Sequence, residues 1–314
     1  MKAVRFHEYG APQVLRYEEV EQPVPGAGQV RLRVAATTFN RVDGDIRGGF
    51  MQGTVPVSLP HTPGLDVAGT VDALGEGVRS LALGDRVVGF LPMTEDGAAA
   101  EYVVAPAQVL AAAPATIALA DAAALPTAAL TAHQALFEHA GLATGQRILV
   151  NGAGGAVGGY AVQLAKRAGA HVIAVAGPRS RPNLEASGVD EIVDHTSTEV
   201  TRAVRGPVDV LLNLAPVEPE RFTELVSLVS DGGVVVSTTV WMPTPDDESR
   251  GVRGIDVFVR SDAAQLAELV DLVDRGELTV DVGRRVPLPE LPTVHEEALA
   301  GTLAGKVVVL AEAA

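Results

Sequence analysis

The stretch that most limits what this chain can become is RILVNGAGGAVGGYAVQLAKRAG, Arg147 to Gly169. A short apolar run meets a cluster of glycines, and an alanine-rich helical run follows at once. Gly152, Gly154, Gly155 and Gly158 fall between the two. A strand, a glycine turn and a helix open a βαβ unit, and such a unit needs a parallel sheet to complete it. The next segments supply one. HVIAVA, EIVDH, VDVLLNL and GGVVVSTT read as strands, with one helix from about Pro182 to Ser187 and another in PERFTELVSLVS. Continuous apolar strands separated by helices mark a parallel sheet covered on both faces.

The glycine turn also has a chemistry. The phosphates of a dinucleotide need close backbone approach and free N–H groups at a helix N-terminus, which glycine permits. The strict G-x-G-x-x-G spacing is not met, because Val157 holds the sixth position from Gly152. A form one residue longer fits, with Gly155 and Gly158 expected to pack helix on strand and Ala156 and Val157 opening the helix. A tight turn with no ligand would use the same glycines; the βαβ setting favours a dinucleotide. About 20 residues further on, a carboxylate would bond the ribose 2′-hydroxyl of NAD and repel a 2′-phosphate. Here VAGPRSRPNLEASG places Gly177 at that point, followed by Arg179, Ser180 and Arg181. Guanidinium groups suit bidentate phosphate contacts, so the stretch reads as selective for NADPH. The alternative is that the two arginines are solvated. His195, ending the next strand, either flanks the adenosine or is a surface histidine.

Upstream, residues 1–120 are β-rich. QVRLRVAATTFN, GLDVAGTVDALGEGV, GDRVVGF and AAEYVVAP are short strand candidates punctuated by glycine and proline, as in a distorted barrel or sandwich. Composition shifts to alanine-rich helix near 112–130. After the helical run DAAQLAELVDLVDRGEL, the tail returns to strand and rejoins the first domain. The expected organisation is 1–120 with 262–314 as one domain and 121–261 as the dinucleotide domain. The 314 residues suffice for two cores. With no cysteine there is neither disulfide nor thiolate zinc site. A net charge of −15 argues against nucleic acid or an anionic membrane as partner. No apolar run is long enough to span a bilayer, and MKAVRFHEYG lacks the apolar core of a secretory signal, so a cytoplasmic location is expected.

Seven pieces in order carry a resemblance: FNRVDGDIRGG, PGLDVAGTV, LGDRVVGF, GAAAEYVV, AALPTAALTAHQAL, the glycine loop and GKVVV. Together they resemble the zinc-independent quinone oxidoreductase branch of the medium-chain dehydrogenase/reductase superfamily. The resemblance implies an α/β protein: a GroES-like β-rich catalytic domain plus a Rossmann domain with a doubly wound parallel sheet. It also implies hydride transfer from NADPH to a quinone or enone, and a homodimer. Thr127 and Thr131 match positions beside the nicotinamide, and Phe258 and Val259 match the strand whose backbone holds the carboxamide. Asn40 matches a position near the substrate, where its amide could donate to a developing oxyanion. Asp45 stands where relatives often carry Tyr or Lys. Three readings compete for it: a proton donor with a raised pKa, a carboxylate that binds a polar substrate group, or a surface loop residue. The nearby Arg41 and Arg47 are read as solvated, and Asp43 and Asp66 as ties for glycine turns.

Zinc alcohol dehydrogenases of the superfamily carry His-Glu after the glycine where this chain has Gly64, Leu65 and Asp66. Only His61 and Asp66 are candidate ligands nearby, so no metal is expected. Tyr102 and Trp241 are candidates for lining the site or for packing, and the polar loop 241–254 for facing the cofactor or a dimer partner. Three functions are carried forward: a quinone reductase, an enoyl or alkenal reductase of a biosynthetic pathway, and an NADPH-binding sensor or scaffold with little turnover.

Overall fold

The computed structural model describes residues 1–239 and 242–311, so Trp241 lies outside the described residues. Contacts divide the chain into two units, Met1–Thr127 with Ser261–Ala314, and Ala128–Arg260. Residues 121–127 group with the first unit: Asp121 accepts from Arg285 Nε at 2.7 Å, and Thr127 N–H donates to Asp66 Oδ1 at 2.7 Å.

In chain order the first unit supplies β1 (Lys2–Phe6), β2 (Leu15–Glu19), β3 (Gln29–Thr38), β4 (Asp66–Leu74), β5 (Arg86–Phe90), β6 (Tyr102–Pro106) and β7 (Leu110–Ala112). The second supplies β8 (Arg147–Asn151), β9 (His171–Ala176), β10 (Glu191–Asp194), β11 (Val208–Asn213), β12 (Val229–Ser237) and β13 (Arg253–Asp256). The chain then returns to the first unit with β14 (Arg284–Pro287) and β15 (Val307–Leu310).

In the first unit β1 and β2 form an antiparallel ribbon, and a seven-stranded sheet runs β14-β15-β3-β4-β5-β7 with β6 also on β3. Along the first half of β3 burial alternates: Val30, Leu32 and Val34 are in the core while Gln29, Arg31 and Arg33 face outward. Period-2 patterning of this kind pins register, because a one-residue slip would put three arginine or glutamine side chains into the core. β15 joins from the far end of the chain, pairing antiparallel with β3 at Val308 and Thr38.

The second unit is a six-stranded parallel sheet in the order β10-β9-β8-β11-β12-β13. From β8 the chain winds out through β9 and β10, then restarts on the other side of β8 with β11. In such sheets ligands bind beyond the carboxyl ends at that switch point. Here those ends are Asn151 and Asn213, joined by Asn151 Nδ2 donating to Asn213 Oδ1 at 2.7 Å. Apolar strands with no alternation, such as Val172–Ala176 in β9, are buried throughout. The loop expected over 241–254 is shorter than the sequence suggests. Arg253 and Gly254 already belong to β13, a polar edge strand whose outward residues hide its pattern. Among the described residues no helix is long and apolar enough to cross a membrane.

Candidate active site

The glycine loop follows β8. Gly152 sits at φ +86°, a left-handed conformation that favours glycine. A Cβ on Gly154 would lie 2.3 Å from Ser180 Oγ, and one on Gly158 would lie 2.5 Å from Gly152 O. Gly155 is different: a Cβ there meets nothing nearer than 3.5 Å. Close packing therefore requires Gly154 and Gly158, not Gly155 and Gly158. Spacing could not show this, because it is Ser180, folded back from the next turn, that crowds Gly154. Gly155 precedes the helix Ala156–Arg167 and offers no side-chain cap, and Ala156 and Val157 begin its first turn. The first N–H groups of that helix are thus available to an anion.

Beside the loop lies a cavity of about 460 Å³ walled by Gly152, Gly154, Gly155, Gly177, Ser180 and His195. Its far wall is Ala215–Val217 with Arg221. Among the described residues no carboxylate lines it. Gly177 leaves open space, with His195 Nε2 3.8 Å from where its Cβ would be. Arg179 and Arg181 do not reach the wall. Arg179 lies in the 3-10 turn Pro178–Ser180, and Arg181 Nη1 is 3.3 Å from Glu185 Oε1 one helical turn on. The sequence reading missed Arg221. It begins a helix beyond the fourth strand of the unit, too far along the chain for motif spacing to flag. Its guanidinium is shared with Glu199 at 3.5 Å and Glu224 at 3.3 Å.

Thr131 is buried on the helix Pro126–His133. Phe258 and Val259 follow β13 outside any strand, and the Phe258 side chain is 60 % exposed. Val257 N–H anchors this segment by donating to Ser237 O at 2.8 Å.

In the first unit, Thr127 and Asn40 meet at a buried carboxylate. Asp66 is fully buried. It accepts from Thr38 Oγ1, from Asn40 Nδ2 at 2.8 Å, from Thr127 N–H at 2.7 Å and from Lys306 Nζ at 3.2 Å. Lys306, also buried, donates to Asn40 Oδ1 at 2.6 Å and Phe39 O at 3.4 Å. Burial alone would raise the Asp66 carboxyl; Lys306 and the three other donors outweigh it and hold the group below its usual range. Both ends of the Asn40 amide are therefore oriented, oxygen to Lys306 and nitrogen to Asp66. The sequence showed Asp66 as a turn tie and gave Lys306 no role. The only signal was a lone lysine opening an apolar strand.

Asp43 accepts from Asn40 N–H at 2.8 Å and Gly64 N–H at 3.0 Å, and burial pushes its carboxyl up to about 6. Asp45 is not on a loop: it lies in the helix Arg41–Arg47, half-buried. Burial raises its carboxyl while Arg41 and Arg47 pull it down. Arg47, expected to be solvated, is buried and donates to Gly10 O. A turn of helix, invisible in a glycine-containing stretch, carries both side chains inward. Tyr102 packs under Arg31, whose guanidinium carbon is 5.5 Å from the ring centre.

Two family models match: the alcohol dehydrogenase GroES-like domain over residues 26–115, and the zinc-binding dehydrogenase domain over residues 187–309. The chain is 33 % identical to the chloroplast envelope quinone oxidoreductase homolog of Arabidopsis thaliana, covering 98 % of each. It is 30 % identical to a quinone oxidoreductase of Lama guanicoe, covering 99 % of this chain and 97 % of that one. The chain belongs to the quinone oxidoreductase branch of the medium-chain dehydrogenase/reductase superfamily. The solved quinone oxidoreductase of Coxiella burnetii superposes on this oxidoreductase with a TM-score of 0.90 at 28 % identity, covering 99 % of each chain.

A member of this branch uses a nicotinamide cofactor, and the residues present fit one. The Gly154–Ser180 contact, the uncapped helix and the acid-free cavity all suit a pyrophosphate and its nucleoside. Zinc, named in one matching model, does not fit. Asp66 is already neutralised by the Lys306 ammonium, and the chain has no cysteine. His61 has the Asp96 carboxylate at 3.7 Å, and the described residues include no trio of His, Asp or Glu able to hold a metal.

Proposed function

We propose that this oxidoreductase is an NADPH-dependent reductase that delivers hydride to a quinone. One observation carries the choice of cofactor: the cavity beyond β9 has Gly177 where a ribose-binding acid would stand, no carboxylate in its described wall, and His195 and Arg221 facing it. A 2′-phosphate is tolerated there and stabilised by the nearby positive charge. The glycine turn lets the pyrophosphate approach the backbone closely, and the first N–H groups of the helix starting at Ala156 hold it. Ser180 braces that turn through Gly154, while Thr127, Thr131 and the backbone of Phe258 and Val259 border the nicotinamide. The bound cofactor supplies the hydride.

As hydride reaches a quinone, negative charge develops on oxygen and calls for a donor. Asn40 is that donor. One of its Nδ2 hydrogens is spent on Asp66, and the other is available to substrate. Burial raises the Asp45 carboxyl against the pull of Arg41 and Arg47; in this reading the proton nevertheless comes from water. Asn40→Ala then lowers kcat about 100-fold with quinones, and Asp45→Asn changes it less than about threefold.

The test is a panel of quinones, enones and enals, followed by loss of NADPH absorbance. Fast turnover of quinones with NADPH and slow turnover with NADH is expected. Preference for enals moves the protein to the alkenal reductases. Tight NADPH binding without turnover of any acceptor makes it a sensor. Equal use of NADH removes the argument from Gly177. Replacing Arg179 and Arg181 together by alanine separates the two sources of charge: NADPH affinity lost through Arg221 alone leaves that double variant near wild type.

A further inference from the structure

A clamp in the unit 128–260 has no part in the reading above. The helix Pro126–His133 runs straight into a π-helical turn, Gln134–His139, in which Ala140 N–H donates to Ala135 O at 3.0 Å. Such turns are rare and recur at functional sites. Gln134 opens the turn and is fully buried. Its Nε2 donates to Arg260 O at 3.0 Å, and its Oε1 accepts from Arg260 N–H at 3.1 Å. One side-chain amide thus meets both backbone groups of one residue 126 positions away. Glu138, on the same face, takes the Arg260 guanidinium through two bonds of 2.6 and 2.8 Å.

The clamped residue closes the segment Val257–Arg260, which belongs to no strand. Its other end is tied by Val257 N–H to Ser237 O. Phe258 and Val259 lie between the two ties. A leucine would fill the space of Gln134, so the amide is distinguished by its two bonds. A segment outside a sheet holds its N–H and C=O groups ready for a ligand only if its ends are fixed. We propose that Gln134 is a positioning residue for the nicotinamide half of the cofactor, acting by holding the Phe258–Val259 backbone. This rests on the reading of that backbone as the carboxamide's partner.

The experiment compares calorimetric binding of NADPH with that of 2′-phospho-ADP-ribose, which lacks the nicotinamide. Wild type binds both if the cofactor reading holds. Gln134→Met then weakens NADPH about tenfold and leaves the fragment within about twofold. Gln134→Glu keeps the length and the acceptor for Arg260 N–H; it shows the same split, smaller, and serves if the methionine variant does not fold. Equal loss for both ligands, or no loss for either, overturns the positioning role. Failure of wild type to bind either ligand overturns the cofactor reading itself and the proposal with it.

Discussion

Removing the Lys306 ammonium leaves the Asp66 carboxylate fully buried with hydrogen bonds but no countercharge. Breaking a buried pair from one side costs about 3–5 kcal/mol, because the remaining charge has lost its solvation and its partner. Lys306→Met keeps most of the side-chain volume, so packing loss adds little. The expected fall in Tm is roughly 10 °C, taking 2–4 °C per kcal/mol. The defect has a pH signature. Without Lys306 the folded-state pKa of Asp66 rises above its unfolded value. An acid so raised binds its proton more tightly when folded, so stability is greatest at low pH and is lost as pH rises through that pKa. The variant's deficit is therefore smaller at pH 5 than at pH 8 (values chosen about either side of neutral). Adding Asp66→Asn removes the uncompensated charge and recovers about half of the loss or more. Urea unfolding of wild type, both single variants and the double variant measures all four corners. A loss below about 1 kcal/mol for Lys306→Met, or no recovery in the double variant, refutes the account of Asp66 as a carboxylate held by Lys306.

His295 gives a second pH test. It is buried against Phe39 with neither ring nitrogen hydrogen-bonded among the described residues, and burial, aided by Arg47, pushes its pKa down to about 3. The unfolded chain takes up this proton near pH 6.5 and the folded chain does not, so stability is lost as pH falls from there toward 3. From pH 7 to 5 the loss is about 2 kcal/mol, and His295→Leu abolishes it in urea unfolding; the opposite contribution of Asp43 is common to both proteins and cancels. In the glycine loop, Gly158→Ala drives a methyl into the backbone of Gly152 and Ala153. It costs about 1–3 kcal/mol and weakens NADPH binding measured by calorimetry. Its neighbour Gly159 has nothing within 4 Å of a Cβ, so Gly159→Ala stabilises by about 0.5–1 kcal/mol and leaves affinity unchanged.

The division of labour between sequence and structure follows from the range of the interactions involved. The parallel sheet, the glycine turn and the missing acid at Gly177 are local: apolar runs, spacing and residue type within a few dozen positions carry them. The alternation of β3 and the order of the family segments are likewise written in the chain itself. What the sequence could not show depends on residues brought together from far apart. Ser180 crowds Gly154 only because a 3-10 turn folds it back. Arg221 enters the cavity wall from the helix that follows β11, the strand that restarts on the other side of β8. Asp66 becomes a charged, oriented anchor for Asn40 only when Lys306, 240 positions later, arrives just ahead of β15. By itself the sequence determined a nicotinamide-binding α/β fold, since strand, turn and helix are written in neighbouring residues. The tertiary structure decided which groups line the cavity beyond β9 and which amide Asp66 and Lys306 orient, because burial, charge pairing and side-chain direction exist only once distant segments have packed.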